Sequence, residues 1–239
     1  MIWGIMAIGV YITYKVLDLA DLTVDGSIGT GGAVLVVLTT GGMNIYLALL
    51  IATLCGCAAG FVTGILHTKF GIPAILAGIL TQLSLYSINL KIMGKANQSI
   101  NVNQTDLFVS LRWVKEFALH NPLVMVAIVT AVLIAVFYWF FGTEAGSAIR
   151  ATGCNQAMAK AQGININFCK VFALAISNGI VALSGGLLAQ YQGFADVAIG
   201  RGAIVIGLAS IIIGEVLAEA FFGKHMTFWL CLSSAVIGG

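Results

Sequence analysis

The side chains that could do chemistry in this chain are few, and their spacing excludes most catalytic schemes. Glu215 and Glu219 stand at i, i+4, which on a helix puts both carboxylates on one face, as metal ligands or an acid–base pair would need. No histidine accompanies them at motif spacing and Lys224-His225 follows in a polar turn, so a solvated helix end is the simpler reading. On a helix, Cys55-x-Cys57 points its thiols to different faces, which makes a poor metal site. The five cysteines lie in or beside apolar runs and read as small buried hydrophobes. His67 has no second ligand near it and reads as a solvated histidine in a tight turn, His67-Thr68-Lys69. No nucleophile is paired with a base, and no G-x-x-x-x-G-K-[ST] loop occurs in the chain. Neither an intramembrane enzyme nor ATP hydrolysis is encoded here, and no cofactor or metal is implied.

The elements that must position the remaining polar groups follow from composition. Charged residues make up 8% of the chain and hydrophobic ones 60%, against roughly 25% and 45–50% in soluble domains. No Asp, Glu, Lys or Arg falls in 26–68, 70–90, 117–143 or 171–195. Each of these runs exceeds the roughly 20 apolar residues that a helix needs to cross a bilayer. The expected fold is all-α: a polytopic helical membrane protein with short broken or re-entrant helices. The 29 glycines against 2 prolines predict close helix packing through small residues. A net charge of +2 gives no reason to expect nucleic acid. The N-terminal run lacks a basic start and a small-residue cleavage site, so it reads as a span and not a signal peptide.

In order, residues 2–17 form a first short span. Asp18, Asp21 and Asp25 follow near a boundary; Asp21, Thr23 or Asp25 could cap the next helix, or the segment, with Asp25 and Ser27, could line a substrate path. The run 28–40 opens with Gly29, Gly31 and Gly32 and reads as a half-span or broken helix. In 44–66, Gly56, Gly60 and Gly64 make a small-residue stripe. The span 72–90 carries Thr81, Gln82, Ser84, Ser87 and Asn89, which fit pathway lining and interhelical hydrogen bonding equally well. The polar stretch 91–121 includes Trp113 and Phe117 and suggests a short interfacial helix. Spans follow at about 122–141 and 168–190, the latter with Ala182/Gly186 and Gly185/Ala189 at four-residue spacing. Residues 226–239 begin another span and stop inside it, so the single transmembrane domain expected over 1–239 reads as truncated at its C-terminus. Asp25-Gly-Ser-Ile-Gly-Thr-Gly31 and Asp196-Val-Ala-Ile-Gly-Arg-Gly202 share D-x-x-I-G-x-G. Either these are equivalent elements of an inverted repeat, each aspartate capping the helix that follows near opposite ends of the bundle, or the match is chance.

Between two of the apolar runs, 143–170 is a polar island. Asn155 suits an N-cap, 156–162 is Ala-rich, Lys160 sits in the last turn and Gly163 suits the position after the helix. A helix of about two turns cannot hold itself in water and must be braced by its surroundings. Cys154, Ala157 and Ala161 offer a face of small residues that another protein can approach closely.

Ala148-Ile-Arg-Ala-Thr-Gly153, Gly163-Ile-Asn165 and the helix ending Ser184-Gly-Gly186 resemble the coupling loop of ABC importer permeases of the branched-chain amino-acid/ribose type. Asp18–Gly26, His67–Thr81 and Tyr86–Leu90 are similar to the tryptophan/tyrosine-type subgroup. The resemblance spans nearly the whole chain. It implies a permease subunit without catalytic activity, multi-pass in the bacterial inner membrane, importing a small solute such as an amino acid, an aromatic one in this subgroup's case. The implied partners are a cytoplasmic ABC ATPase, a substrate-binding protein or lipoprotein, a second permease copy in a homodimer, and membrane lipid. Arg150, Ala151, Thr152, Gly153, Asn155, Ala157, Lys160, Ala161 and Gly163 would couple to the ATPase; Arg150 could instead anchor to lipid headgroups. Asp25, Ser27, Gln82 and Asn89 would line the substrate path. The sequons at Asn97 and Asn103 are then coincidental. Lysines and arginines divide almost evenly between the two sides, so orientation rests on the resemblance. The competing reading is an ion-coupled secondary transporter with inverted repeats, against which the four long runs hold no ionisable relay residue.

Overall fold

The computed structural model describes residues 1–100 and 122–222, together with Ser233, Val236 and Gly238. Helices begin and end where the sequence supplies caps. Asn44 accepts a hydrogen bond from the Tyr46 N–H, and Gly94 and Gly193 stop their helices in the left-handed conformation. In chain order, α1 (Ile2–Tyr11) continues into a π-helical turn (Ile12–Val16), followed by α2 (Thr23–Thr40), α3 (Ile45–Thr68) and α4 (Ala74–Met93). Then come β1 (Asn97–Ser99), α5 (Pro122–Gly142), α6 (Glu144–Cys154), α7 (Gln156–Ala161), α8 (Ile166–Gln192), β2 (Phe194–Asp196) and α9 (Ala203–Phe222). Among the described residues, six helices (α2, α3, α4, α5, α8 and α9) are long and apolar enough to cross a membrane.

Two of the six are central. The apolar windows of α2 and α8 are 78% and 72% buried, against 22–33% for the other four. A helix hydrophobic all round and enclosed on every side belongs to the middle of a bundle. Along α8, Gly56, Gly60 and Gly64 of α3 meet Asn178, Leu174 and Val171 in turn, so the two helices run antiparallel. From the other side Gly31 of α2 meets Ala182 and Gly32 lies near Ala189, a parallel crossing. A Cβ added at Gly31, Gly60 or Gly185 would collide with the opposing main chain. α1 joins by hydrogen bonds: the Ser177 hydroxyl donates to the Gly9 carbonyl at 2.7 Å and Ser184 to that of Ile2 at 2.9 Å, which sets α1 antiparallel to α8. α9 runs beside α1 in the same direction, with Gly207 against Met6 and Val10 and Glu215 paired to Lys15 at 2.6 Å.

Several expectations change. The segment 28–40 is not a half-span: α2 is one unbroken helix of 18 residues. Its glycines cost helix propensity, but Gly31 admits the Ala182 main chain where no Cβ would fit, and that packing outweighs the local preference. α9, which follows the second D-x-x-I-G-x-G stretch, is also a full helix, of 20 residues. His67 lies within the last turn of α3 and its Nδ1 is 2.9 Å from the Ile72 carbonyl, so it closes the connection to α4 and is not a solvated loop residue. Glu215 is ion-paired to Lys15, not simply solvated. Cys169 is buried and Cys55 and Cys57 half-buried, as expected of small hydrophobes, whereas Cys154 is exposed. β1 and β2 pair antiparallel, Asn97 opposite Asp196 and Ser99 opposite Phe194, a contact absent from the sequence reading. The expected interfacial helix around Trp113 and Phe117, the sequon at Asn103, the Lys224-His225 turn and nearly all of 226–239 lie outside the described residues.

Replacing Gly60 with leucine should destabilise the protein by about 3 kcal/mol or more, because the obstructing atoms are main chain and cannot rotate away. Gly71, which faces open space in a turn, is unsuitable as a control because its φ is +68°; Ala58→Leu on the same helix is the better one. Thermal melting in detergent should separate the two. Equal melting points would show that α3 has room to move off α8.

Candidate functional site

Two regions concentrate the polar groups, one inside the bundle and one at its edge. Inside, the chain between α1 and α2 is held by Asp21, which is only 3% exposed. One Asp21 oxygen accepts the Thr23 N–H at 2.9 Å, and the other accepts the Asn178 amide at 2.7 Å. The Asn178 carbonyl in turn accepts the Ser27 hydroxyl at 2.6 Å, and the Thr23 and Thr63 hydroxyls lie 2.8 Å apart. α2 therefore starts beside the middle of α8, with its first N–H satisfied by a carboxylate.

α9 starts in the same interior. Asp25, in the first turn of α2, accepts the Gly202 N–H at 3.0 Å and the Ile204 N–H at 2.8 Å. It caps α9, and not the helix that contains it. Gly200 packs on the Asp25 main chain with no room for a Cβ. Asp196 accepts the Ala198 N–H at 2.7 Å and stabilises its own loop without reaching a helix. The two D-x-x-I-G-x-G stretches thus meet, where self-capping at opposite ends was expected. Their helices do run in opposite directions, since α2 parallels α8 and α9 opposes it. Two helix N-termini converging on one interior point bring two positive dipole ends together, and the Asp25 carboxylate sits at that point.

Of the four residues expected to line a path, three border the α2–α4 seam. Gln82, Tyr86 and Asn89 share a face of α4 at i, i+4, i+7. Gly26 packs against the Gln82 main chain and Gly29 lies against the Asn89 amide nitrogen. Asn89 is 1% exposed, and its Oδ1 has no hydrogen-bond partner. Asp25 stands at the near end of this seam, while Ser27 turns away to α8. The sequence reading missed Asn178, although a lone amide in a charge-free run was a usable signal. It also missed Arg201, whose guanidinium lies 5.4 Å from the centre of the Tyr86 ring. Among the described residues no cluster of three or more His, Cys, Asp or Glu could hold a metal.

At the edge, three caps shape the polar island. Thr143 accepts from Gly146 N–H, Asn155 from Met158 N–H at 3.0 Å and Asn165 from Phe168 N–H at 3.2 Å. They start α6, α7 and α8 in quick succession, and Gly163 at φ +80° ends the α7 turn. The helix expected over 156–162 is therefore present, but α6 before it was not foreseen. Arg150 donates to the Phe141 carbonyl at 2.8 Å and ties α6 to the end of α5. Thr152 is fully buried and Gly153 packs on Val16 and Leu17, so these two face inward; Ala151 is half-buried. Asn155, Ala157, Lys160, Ala161 and Gly163 are exposed.

Over residues 1–237 the sequence matches the family described as branched-chain amino acid transport system, permease component. The chain belongs to that permease family. It is 44% identical over 183 residues to the tyrosine transport system permease protein of Clostridioides difficile, covering 77% of this chain and 59% of that relative. An uncharacterised Rickettsia prowazekii protein is 33% identical over 178 residues, 74% of this chain and 60% of the other. The ribose import permease of Haemophilus influenzae is 27% identical over 181 residues, 75% and 55%. The matched regions thus span little more than half the length of these relatives. No solved structure matches the chain. Family membership and six apolar helices make it a multi-pass membrane protein, in bacteria one of the inner membrane.

For this permease-family chain the Asp25 cap gives a direct test. Asp25→Ala should lower stability by about 1–2 kcal/mol, the range for losing an N-cap acceptor, and Asp25→Asn by less because one oxygen remains. Melting of the purified variants in detergent reads the order; an alanine variant as stable as the parent would mean that α9 does not need the cap.

Proposed function

We propose that this chain is the membrane-spanning permease subunit of an ABC importer for a small solute, an aromatic amino acid such as tyrosine, driven by ATP hydrolysed in a separate cytoplasmic subunit. The match to the permease family over residues 1–237 carries this reading. The tyrosine permease relative supports the substrate class. The charge-poor spans also suit a small zwitterion better than a strongly ionic solute.

On this reading α7 is the docking element for the ATPase. Ala157 and Ala161 give it a small exposed face, Lys160 and Asn155 flank that face, and Gly163 sets its end. Arg150 with Ala151, Thr152 and Gly153 joins it to the membrane helices. A second permease copy would complete the pore, with lipid around it, and a binding protein or lipoprotein would deliver substrate from the other side. Asp25, Ser27, Gln82 and Asn89 belong to the interior that the substrate passes, with Ser27 acting through Asn178.

A second reading has one observation in its favour. Helices that begin inside the bundle and run in opposite directions are also how ion-coupled transporters are built. Energy source separates the two. Tyrosine uptake by the full-length permease, reconstituted with its ATPase and binding protein, should require ATP and survive collapse of the proton and sodium gradients. Gradient-driven uptake by the permease alone would overturn the importer reading. Within the complex, Ala157→Trp should reduce substrate-stimulated ATP hydrolysis about tenfold or more, equivalent to about 1.4 kcal/mol of lost coupling. Normal stimulation in an assembled A157W complex would remove α7 as the docking element.

A further inference from the structure

We propose that Arg201 and Tyr86 form a recognition site for the carboxylate and aromatic ring of the transported amino acid. The proposal rests on the importer reading above and names the chemistry by which the interior would recognise its substrate.

Arg201 is held in place by its neighbours. Gly200 packs on Asp25, and the Gly202 N–H is bound by the Asp25 carboxylate, so the turn that carries Arg201 is fixed to α2. The guanidinium lies over Tyr86, 5.4 Å from the ring centre. Tyr86 in turn sits well inside α4, about 18 Å from its start at Ala74 and about 10 Å from its end at Met93, at 1.5 Å per residue. The guanidinium therefore packs on the side of α4, about two turns before its end.

A cation packed against a membrane-spanning helix is costly unless it meets an anion or water. Among the described residues Arg201 has no carboxylate partner: the ion pair formed is Lys15 with Glu215. Asp25, which holds the same turn, has its two oxygens engaged by main-chain N–H groups. The side chain is exposed, and Tyr86 is 40% exposed, so both present free surface. A guanidinium held over a ring face uses none of its N–H donors there and keeps them available, in the fork that fits a carboxylate with two parallel hydrogen bonds. The same ring offers a stacking or edge contact to a second aromatic group. On the same face of α4, Asn89 keeps a buried Oδ1 without a partner, the kind of acceptor that an α-ammonium group takes. Carboxylate, ring and ammonium are the three recognition features of an aromatic amino acid; a neutral sugar has none of them.

The test uses the full-length permease assembled with its ATPase, and a photoreactive diazirine analogue of phenylalanine as probe. On irradiation the probe should label α4 and the 197–204 turn. Millimolar tyrosine should block that labelling, and tyramine, which lacks the carboxylate, should not. Arg201→Gln should reduce both labelling and ATP-driven tyrosine uptake about tenfold or more, with Arg201→Lys retaining part of each. Tyr86→Phe should keep uptake, and Tyr86→Leu should lose it. Uptake unchanged in R201Q, or labelling that tyrosine and tyramine block alike, overturns the site while leaving the importer reading intact. Arg201 would then serve a lipid phosphate or outer water. If the parent complex imports no amino acid on ATP, the substrate reading itself fails, and labelling that tyrosine does not block takes the site with it.

Discussion

Direct contact between main chains along α8 is the constraint on which the rest of this structure depends. Apolar helices surrounded by lipid gain nothing from hiding apolar surface from one another, so they associate by dense packing and hydrogen bonds. α8 supplies both. Its small residues let α2 and α3 approach from two sides, each presenting glycines of its own, and its serines bond to carbonyls of α1. Three helices are thereby fixed to one, at distances set by backbone atoms and not by adaptable side chains. α2 and α8 end up as enclosed as the core helices of a soluble protein.

Such close packing leaves space for helices that begin inside the bundle, and those starts create an electrostatic problem. The first N–H groups of a helix have no partner of their own, and in a water-poor interior each must be satisfied by protein. Asp21 answers this for α2 and Asp25 for α9. A carboxylate in such a place carries a desolvation cost, offset here by convergent donors and by the positive ends of the two helix dipoles. Because Asp25 belongs to one helix and caps the other, the two halves of the bundle share one ionic group. The similarity of the two D-x-x-I-G-x-G stretches therefore does not extend to their roles: one aspartate bridges the halves, and the other only shapes its loop.

How much of this was legible depends on how local the cause is. Charge-free runs gave α3, α4, α5 and α8, because exclusion of charge from lipid acts residue by residue. Asn155 and Gly163 gave α7, since capping involves near neighbours only. The glycines of 29–32 misled, because propensity is local while their contacts, with Asn89, Ala182 and Ala189, lie far along the chain. The β1–β2 pair and the Arg201–Tyr86 contact were illegible for the same reason: three-residue strands and a single cation–ring contact leave no periodic trace. In the candidate site, Asp25, Gln82 and Asn89 could be picked as polar residues amid apolar ones. That they lie along one seam could not, because the seam is made by α2 meeting α4.

The two polar regions are also physically continuous. α7 is linked to α8 through Gln156 and Lys170, at 3.2 Å, and α6 rests by Gly153 on Val16 and Leu17 at the end of α1. From there the chain passes directly to Asp21, bonded to Asn178, and within one helical turn to Asp25, which holds the start of α9. α9 closes the circuit through Glu215 and Lys15, back at the same end of α1. Contact alone does not establish energetic coupling. It does constrain how a force on α7 can propagate. Gly153 has no free space against Val16, so α6 cannot shift toward α1 without displacing the 16–21 segment. That segment is anchored by one carboxylate to the middle of α8, and its displacement must either break the Asp21–Asn178 bond or carry α8 with it. On the proposed reading, ATPase closure would therefore be felt first at the aspartate-capped starts of α2 and α9, the part of the bundle where Arg201 and Tyr86 stand.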